Sequence, residues 1–575
     1  MRLTPSTRLR LACHALFGAS LLACAAPQRP AAPATPAPAS PLASPARPSD
    51  GTLTATPSAP EMTAERLAAA LGPRTLALPP LPSPPADGAA RAKWLGAQLD
   101  ALFGGPGQVP APLGAAKVSV SVLDQETGRV LYAREPKAQL NAASNVKLVT
   151  SSAALSLLGP EYRFRTAVYG PQRTSGRYLE AGGELAGDLY FRGGGDPTFE
   201  TADLSELANQ LWALGIRRIK GNLVVDPTFF DSRVLPPAYE QKDESGAYRA
   251  PSSATSLNAN AVAITVLPAP KPGQAARVLL EPASDHFEVT GRILSSSRAP
   301  AWPVIETLAG TDGKTRIQIG GRITTDQTPR TFSRRVVDPA LYLGHTALVM
   351  LARRGITLQG KVEVGPTPEG LRLLATHVSE PLAVVVHEMN KRSNNFVAEQ
   401  LVRTLGAEAL QAPGSWDKGL EAVARYLEAL GIKRGTYRME NAAGLYDSNR
   451  FSSEQIAVVL RAALRDFRIS GEFAASLPLA GIDGTLAQRM AGSPAERYVR
   501  GKTGTLLGTS ALSGLVGSPN RAPLVFSILM NEVTDTALAR AVQDQAATVL
   551  AWYLNPASAP VPVAEASRAA PYPDP

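Results

Sequence analysis

Ser144 and Lys147 are the first residues whose types and spacing suggest chemistry. They lie three residues apart in the segment from Asn141 to Thr150, which predicts the start of a helix, so both side chains fall on one face about a turn apart. A serine hydroxyl becomes a strong nucleophile when a neighbouring base takes its proton. A lysine serves as that base when burial or a nearby cation keeps its amine neutral. The pair therefore predicts a nucleophile with its own base, although the same spacing also arises by chance on solvated helices.

Two further motifs carry groups of the same kind. Ser393-Asn394-Asn395 lies where one predicted helix ends and the next begins, and Lys502-Thr503-Gly504-Thr505 follows a strand-like segment. Ser393 also suits a helix N-cap and Lys502 a solvated strand, so each motif has a purely structural alternative. The order Ser-x-x-Lys, Ser-x-Asn, Lys-Thr-Gly resembles the penicillin-binding protein and serine β-lactamase superfamily.

The spacing of the motifs narrows the resemblance. Roughly 250 residues separate Ser144 from Ser393, too many for a simple loop. The chain resembles the D-alanyl-D-alanine carboxypeptidase/endopeptidase family of penicillin-binding protein 4-like enzymes (the DacB family, class C low-molecular-mass penicillin-binding proteins), in which extra domains lie between the first two motifs. The similarity runs from about Ala115 to Leu554 and includes the stretches Leu189 to Thr198, Gly215 to Leu223, Ser256 to Asn260 and Gly481 to Leu486.

One loop departs from the pattern of that family. Residues Asn441 to Asp447 read Asn-Ala-Ala-Gly-Leu-Tyr-Asp, where the family usually reads Asp-Gly-Ser-Gly-Leu-Ser-Arg. Gly444 is retained, but Ala443 and Tyr446 replace serines and Asp447 replaces an arginine. The sequence leaves open how this edge of the cleft is hydrogen-bonded and how fast the enzyme turns over.

The resemblance implies a role for each catalytic side chain. Ser144 attacks the carbonyl of a D-Ala-D-Ala peptide bond to form an acyl-enzyme, with Lys147 as the base, and water then hydrolyses the ester. Ser393 relays a proton to the departing D-alanine amine, and Asn395 holds the substrate backbone and the Lys147 side chain together.

The third motif is implied to bind the substrate. Lys502 keeps Lys147 neutral by its positive field and binds the terminal carboxylate together with Thr503, Gly504 and Thr505. Either Lys147 or Lys502 supplies the proton that Ser393 relays. The backbone N–H groups of Ser144 and Thr505 form the oxyanion hole. Neither a metal nor an organic cofactor is required. The expected partners are peptidoglycan peptides that end in D-Ala-D-Ala and, as inhibitors, β-lactams.

Two other functions are compatible with the same residues. A β-lactamase or D-amino-acid esterase uses this machinery and differs in how fast the acyl-enzyme reacts with water. A catalytically weak, lipid-tethered peptidoglycan-binding protein is the third interpretation, favoured only by the altered loop from Asn441 to Asp447. A Walker A loop is excluded because Glu496 stands where glycine is needed, and a His-Glu-x-x-His zinc site because Lys391 replaces its second histidine.

The N-terminal residues predict export to the periplasm. A basic start and a short apolar run form a signal peptide over residues 1–23, and Leu21-Leu22-Ala23-Cys24 resembles the lipobox of bacterial lipoproteins. That resemblance implies a lipid anchor on Cys24; a plain signal peptide with an incidental cysteine is the alternative. The only other cysteine, Cys13, lies in the removable segment, which excludes disulfides and cysteine-ligated zinc from the mature chain. A net charge of +9 without an arginine-rich run argues against nucleic acid.

The elements that must position these motifs predict an α/β (α+β) fold. Periodicity indicates a hairpin from Val118 to Leu123 and Arg129 to Ala133, followed by a helix from Asn141 to Leu158. Near the C-terminus it indicates three strands, Arg497 to Gly501, Ser510 to Val516 and Leu524 to Met530, and a closing helix from Thr536 to Leu554. Many short strands are predicted between Ala261 and Val364. We expect a penicillin-binding-protein/serine β-lactamase-like transpeptidase domain, an antiparallel sheet flanked by helices, with a large β-rich insertion between the first and second motifs.

The predicted organisation is a signal peptide (1–23), a Pro/Ala-rich tether (24–88), the first part of the penicillin-binding domain (89–165), the insertion (166–375), the second part (376–555) and a Pro/Ala-rich tail (556–575).

Overall fold

The computed structural model describes residues 82–104, 113–172 and 179–556. The predicted signal peptide, Cys24, residues 24–81 of the tether and the tail beyond residue 556 lie outside the described residues. Within the three described ranges, no helix combines the length and the apolar character needed to span a membrane.

The described part of the chain contains the following helices and strands. The α-helices are α1 (Gly88–Phe103), α2 (Val146–Leu158), α3 (Thr201–Ala213), α4 (Pro339–Arg353), α5 (Leu382–Arg392), α6 (Asn395–Leu410), α7 (Trp416–Ala429), α8 (Ser453–Arg465), α9 (Ser470–Ser476) and α10 (Thr536–Leu554). The strands are β1 (Lys117–Asp124), β2 (Val130–Arg134), β3 (Arg165–Gly170), β4 (Glu184–Leu185), β5 (Leu189–Arg192), β6 (Arg218–Ile219), β7 (Leu223–Asp226), β8 (Ala261–Leu267), β9 (Arg277–Glu281), β10 (Phe287–Gly291), β11 (Leu294–Ser296), β12 (Pro303–Ala309), β13 (Thr315–Thr324), β14 (Arg330–Arg335), β15 (Thr357–Leu358), β16 (Val362–Val364), β17 (Arg372–Val378), β18 (Val499–Leu506), β19 (Thr509–Val516) and β20 (Leu524–Asn531).

A five-stranded antiparallel sheet combines strands from the N-terminal and C-terminal parts of the described residues, in the spatial order β18-β19-β20-β1-β2. Strand β20 is apolar along nearly its whole length because helices cover both faces of the sheet. Its alternate residues enter two different cores. Phe526 and Ile528 pack in a core with residues of α1 and α10, whereas Val525 and Leu529 pack in one with residues of α2 and α8. The predicted antiparallel sheet flanked by helices is confirmed.

Helix α2 is the most enclosed element near the sheet, with every residue from Val146 to Leu155 buried. Its polar side chains therefore need internal partners. Thr150 donates to the carbonyl of Ala442 at 2.8 Å, and Ser151 donates to the carbonyl of Lys147 at 2.7 Å. These bonds make α2 a fixed support for the residues at its N-terminus.

The helix predicted from Asn141 to Leu158 begins later than expected. A 3-10 turn covers Ala143–Asn145, and the α-helix itself starts at Val146. Ala143 has a φ of 45°, which interrupts helical geometry, so Asn141 cannot open the helix. Ser144 consequently lies in the turn that precedes α2, while Lys147 lies in its first turn.

The insertion contains two separate hydrophobic cores, each with its own strands. An inner subdomain has a five-stranded sheet in the order β16-β7-β5-β3-β17 with α3 and α4, and an outer β-subdomain (residues 261–335) contains β8 to β14. The many short strands predicted between Ala261 and Val364 are present, but the prediction did not include α4. Asp338 caps that helix by accepting from Leu341 N at 3.0 Å, and Pro339 occupies its first position, which are ordinary helix-start signals that the strand interpretation overlooked.

The two ends of the insertion lie side by side. Strand β3 pairs antiparallel with β17, and Arg165 stands opposite Val378. The chain therefore leaves the catalytic part after α2 and re-enters it before α5 at neighbouring points. Because of this pairing, the first and second motifs can meet although the insertion separates them in sequence.

Helix α6 depends on the insertion for part of its hydrogen bonding. Arg403 is fully buried, and it donates to the carbonyl of Ser252 at 2.8 Å and to the Asp231 carboxylate at 2.7 Å. Gln400, also fully buried, donates to the carbonyl of Ser253 at 2.9 Å. The segment that carries these acceptors thus supports the helix that begins at Asn395.

Candidate active site

Lys147 is a fully buried lysine with three oxygen partners. Its Nζ lies 3.0 Å from Ser144 Oγ, 2.7 Å from Asn395 Oδ1 and 2.7 Å from the carbonyl oxygen of Ala443. A neutral amine keeps all three contacts, since it donates to the amide and the carbonyl and accepts the serine proton. The geometry therefore suits Lys147 as the base that activates Ser144.

The charge environment of Lys147 favours the neutral amine. Burial holds the pKa of Lys147 well below its ordinary value, and the positive field of Lys502 lowers this pKa further. The Glu399 carboxylate acts in the opposite direction and raises the Lys147 pKa.

Ser393 and Lys502 form a second serine–lysine pair. Lys502 is fully buried, and its Nζ donates to Ser393 Oγ at 2.8 Å and to the carbonyl of Thr503 at 2.8 Å. Burial lowers the pKa of Lys502 to about 7, so this side chain holds and releases a proton near neutrality. The alternative of a solvated strand lysine is excluded by its burial.

The Ser-x-Asn motif occupies the junction between α5 and α6, as predicted, but Ser393 does not cap the second helix. Asn394 is the N-cap of α6 and accepts from Val397 N at 3.2 Å. Ser393 ends α5 in a left-handed conformation with a φ of 58°. In this conformation the Ser393 hydroxyl does not cap a helix, and it accepts a hydrogen bond from Lys502.

Asn395 links two parts of the site. Its Oδ1 accepts from Lys147, and its Nδ2 donates to the carbonyl of Tyr248 at 3.0 Å. The amide thus holds the base in place and connects it to the loop before β8.

The Lys-Thr-Gly motif lies within β18 rather than after a strand, because β18 runs from Val499 to Leu506. Gly504 passes close to the turn that carries Ser144: a Cβ added there would come within 2.9 Å of Asn145 Nδ2 and 3.0 Å of the Ala142 carbonyl oxygen. Glycine at this position therefore allows the strand to approach the nucleophile.

The two threonines of the motif have different neighbours. The Thr503 hydroxyl donates to Thr485 Oγ1 at 2.8 Å, and Thr505 Oγ1 accepts from Arg540 Nη2 at 3.0 Å. Arg540 lies on α10 and is half-buried. It places a guanidinium beside the predicted carboxylate-binding strand, a contact that no local motif in the sequence signals.

The structure brings the predicted site residues together from three distant segments. Ser144, Lys147 and Asn395 are in direct contact, Ser393 contacts Lys502, and Gly504 lies beside the turn of Ser144. Thr503 and Thr505 flank that glycine on β18. Cys24 is the one predicted site residue that lies outside the described residues.

The loop from Asn441 to Asp447 reaches the site through its backbone. The carbonyl of Ala443 accepts from Lys147, and Gly444 adopts a φ of 80°, where an added Cβ would overlap the carbonyl oxygen of Ala143. Within the loop, Asn441 accepts from Gly444 N at 2.7 Å and donates to the carbonyl of Leu445 at 3.0 Å. Asn141 Nδ2 donates to the carbonyl of Tyr446 at 3.1 Å and to the Asp447 carboxylate at 3.0 Å. The contacts at Ala443 and Gly444 use main-chain atoms, so the changed side chain of Ala443 leaves them in place, whereas Asn441 and Asp447 bond through their changed side chains.

Glu399 is a buried acid that the sequence motifs did not single out. It is 1% exposed and lies one helical turn after Asn395 on α6. Its carboxylate accepts from Ala443 N at 2.9 Å and from Trp416 Nε1 at 2.8 Å. Helix α6 also carries Gln400, Arg403 and Glu408, so its sequence contains no signal that distinguishes Glu399.

Among the described residues, no group of three or more histidine, cysteine, aspartate or glutamate side chains is arranged to hold a metal ion. The contacts at Ser144, Lys147, Ser393 and Lys502 are those of acid–base and nucleophilic groups.

Comparisons with known proteins identify a family for the chain. The sequence matches the D-Ala-D-Ala carboxypeptidase 3 (S13) family over residues 107–553. It is 36% identical over 479 residues to a D-alanyl-D-alanine carboxypeptidase of Actinomadura sp. (strain R39), an alignment that covers 81% of this chain and 86% of that protein. It is 26% identical over 392 residues to the D-alanyl-D-alanine carboxypeptidase DacB of Haemophilus influenzae, covering 68% of this chain and 80% of that protein.

The fold is similar to that of a solved structure. The crystal structure of penicillin binding protein 4 (dacB) from Haemophilus influenzae superposes with a TM-score of 0.68 at 23% identity, covering 78% of this chain and 97% of that one. This similarity supports the predicted penicillin-binding-protein fold.

Proposed function

This chain belongs to the D-Ala-D-Ala carboxypeptidase 3 (S13) family, and we propose that Ser144 is the nucleophile of its serine-type D-Ala-D-Ala carboxypeptidase activity. The observation that carries the assignment is the buried Lys147 amine, 3.0 Å from Ser144 Oγ and 2.7 Å from Asn395 Oδ1. A lysine in this position activates a serine without a histidine. The substrates are peptidoglycan stem peptides that end in D-Ala-D-Ala, and β-lactams acylate the same serine.

Acylation begins with transfer of the Ser144 hydroxyl proton to Lys147 Nζ. The Ser144 oxygen then bonds to the carbonyl carbon of the penultimate D-alanine, and the backbone N–H groups of Ser144 and Thr505 stabilise the resulting oxyanion. Collapse of this intermediate breaks the carbon–nitrogen bond. The departing amine receives a proton from Ser393, which is replenished by Lys502 at 2.8 Å. Before deacylation Lys147 releases its proton to solvent water and Lys502 takes one up from solvent, which restores both lysines to their starting states.

Deacylation reuses the same base. A water molecule loses a proton to Lys147 as its oxygen attacks the ester carbonyl carbon, and the bond to Ser144 Oγ breaks. Ser144 regains its proton, and the peptide leaves with a new terminal carboxylate. The three oxygen partners hold Lys147 in reach of Ser144 in both half-reactions.

Arg540 supplies the permanent positive charge for the substrate's terminal carboxylate. Lys502 titrates near neutrality, whereas the Arg540 guanidinium stays protonated although burial lowers its pKa. Arg540 also contacts the Thr505 hydroxyl at 3.0 Å, so this hydroxyl lies beside a fixed cation.

The carboxylate assignment is tested with Arg540→Gln. We expect the variant to lose about tenfold or more in kcat/KM for a D-Ala-D-Ala peptide, because a charged hydrogen bond is removed. The matched substrate is the same peptide with a C-terminal amide, whose turnover should change far less. Equal losses for the acid and the amide would show that Arg540 acts on the fold and does not recognise the carboxylate.

The proposed reaction is tested with a fluorescent penicillin and a D-Ala-D-Ala peptide. A stable covalent label together with D-alanine release supports the carboxypeptidase, and rapid loss of the label indicates a β-lactamase instead. Ser144→Ala should abolish both signals while the protein stays folded. Labelling that persists in this variant would refute Ser144 as the nucleophile.

Export and anchoring form a second part of the proposal. Residues 1–23 act as a signal peptide, Cys24 carries a lipid, and the tether 24–88 holds the enzyme near a membrane on the periplasmic side. The composition of the tether, rich in proline and alanine, supports this arrangement. Cys24→Ser should release the protein from the membrane fraction and abolish fatty-acid incorporation; membrane retention in that variant would contradict lipidation.

For the domains, residues 89–165 and 376–555 form the penicillin-binding domain, and residues 166–375 form the insertion. The pairing of β3 with β17 supports a division near these boundaries, because it brings the two ends of the insertion together.

A further inference from the structure

Glu399 is a buried charged group that the proposed reaction does not use. It lies four residues after Asn395, so both side chains lie on one face of α6. Asn395 contacts Lys147 directly, whereas Glu399 reaches it through Ala443: the Ala443 N–H donates to the Glu399 carboxylate at 2.9 Å, and the Ala443 carbonyl accepts from Lys147 at 2.7 Å. One residue of the loop is therefore held from both sides.

The hydrogen-bond partners of Glu399 favour its ionised form. The N–H groups of Ala442, Ala443 and the Trp416 indole are obligatory donors, and all three point to its oxygens at 2.8–3.3 Å. The Tyr239 hydroxyl completes the set at 3.2 Å. Burial raises the pKa of Glu399, and the surrounding donors oppose that rise. A carboxylate enclosed by donors keeps its negative charge inside the protein.

The charged groups around this carboxylate give it an electrostatic role. Lys147 on α2, Lys502 on β18 and Arg403 on α6 are all buried, and Glu399 interacts with Lys147 and Arg403 through its charge. Burial and Lys502 both favour a neutral Lys147, while Glu399 favours the protonated form. A base acts best when its proton affinity matches the working pH, so a lysine that loses its proton too readily would be a weak acceptor.

We propose that Glu399 is a positioning residue for the reaction, which holds the Ala443 carbonyl against Lys147 and whose negative charge sets the proton affinity of that lysine. This inference rests on the proposed function of Lys147 as the base. It adds Glu399, which lies outside the three motifs, to the residues that act on Lys147. The loop from Asn441 to Asp447 then connects the Glu399 carboxylate to the Lys147 amine.

Glu399→Gln tests the proposal, because it removes the charge and keeps the shape. The titration of Lys147 is followed by NMR of the protein with ¹³Cε-labelled lysine, and the resonance is assigned by its absence in Lys147→Arg. We expect the midpoint of Lys147 to move to lower pH by about one unit in Glu399→Gln. An unchanged midpoint in the folded variant would overturn the proposal.

The reaction gives a second readout that a merely structural role would not move. The rate of acylation by a fluorescent penicillin rises with pH as Lys147 loses its proton, and this rise should shift to lower pH in Glu399→Gln by the same amount as the NMR midpoint. A lower rate with an unshifted pH profile would mean that Glu399 only supports the fold. If the wild-type enzyme is not labelled at all, the proposed function fails, while the NMR comparison still decides the coupling between Glu399 and Lys147.

Two further variants keep the test decisive. Asp226→Asn removes an equally buried carboxylate in the insertion, one that accepts from Thr228 and Thr367, and it should leave the Lys147 midpoint unchanged.

In Glu399→Gln, the new side-chain amide would place one of its N–H groups against the Trp416 indole N–H. If this variant does not fold, Trp416→Phe is compared with the double variant Trp416→Phe/Glu399→Gln, in which that conflict is absent. The same downward shift is expected between these two, and no shift would again overturn the proposal.

Discussion

The elements around Ser144 bury several charged side chains, whereas the hydrophobic core of the outer β-subdomain is aliphatic. Lys147, Lys502, Glu399 and Arg403 are all at most 1% exposed, and each depends on specific hydrogen bonds to remain inside the protein. The fully buried apolar core of the β-subdomain consists of valine and isoleucine alone. Burying a charge in a water-poor interior costs folding free energy. The concentration of buried charges around Ser144 therefore indicates that this region is arranged for a reaction at the expense of stability.

Lys147→Met should give the largest effect on activity and the sharpest contrast between the two regions. We expect acylation by penicillin to fall about 10³-fold, because the base is removed. The thermal midpoint should stay equal or rise, since methionine fills a similar volume without a buried amine. Labelling kinetics and thermal denaturation measure the two effects. A loss of less than about tenfold in acylation would contradict the role of Lys147 as the base.

A matched pair of glycine substitutions compares the backbone of the two regions. Gly444→Ala should lower acylation by about 10²-fold, because the loop must move away from the turn of Ser144 to relieve the overlap with the Ala143 carbonyl. Gly320→Ala is the control. This glycine lies in β13, and a Cβ added there would have no atom within 4 Å, so the acylation rate of the variant should match that of the wild type. Equal rates for both variants would show that the Gly444 turn does not position the nucleophile.

The pH dependence of acylation tests the second lysine. We expect acylation to rise with pH as Lys147 loses its proton, and to fall above neutrality as Lys502, whose pKa burial lowers to about 7, loses its own. Lys502→Arg keeps the charge because arginine stays protonated, so the falling limb should disappear below about pH 10. Rates are measured with a fluorescent penicillin across this range. A falling limb that stays near pH 7 in the variant would assign it to another group.

Ile264→Ala in the β-subdomain should give the smallest effect on acylation. The side chain is fully buried in the aliphatic core, so its truncation should lower the free energy of unfolding by about 2–5 kcal/mol. The acylation rate per folded molecule should not change. Denaturant unfolding and active-site titration separate the two quantities, and a rate that falls in the folded protein would link the β-subdomain to the chemistry.

The motif residues and most regular elements could be predicted because their signals are local. The hairpin of β1 and β2 follows from alternation, and α10 has the predicted bounds, Thr536 to Leu554. The resemblance of the motifs to penicillin-binding proteins also predicted the family and the sheet flanked by helices.

The remaining features depend on contacts between distant segments. The left-handed φ of Ala143 is set by the close approach of β18 and the Gly444 turn, so the later start of α2 is not readable from helix propensity. Glu399 and Arg540 were missed for the same reason. Their partners at Ala443 and Thr505 are 44 and 35 residues away, and no motif spans those distances.

The buried contacts between α6 and the insertion limit how far this protein can be trimmed. A minimal catalytic fragment made by joining β3 directly to β17 would lose the acceptors at Asp231, Ser252 and Ser253, and Arg403 would face a vacated surface. An engineered miniature of the enzyme must therefore retain the stretch around residues 231–253, or replace Arg403 and Gln400 with apolar side chains of similar bulk.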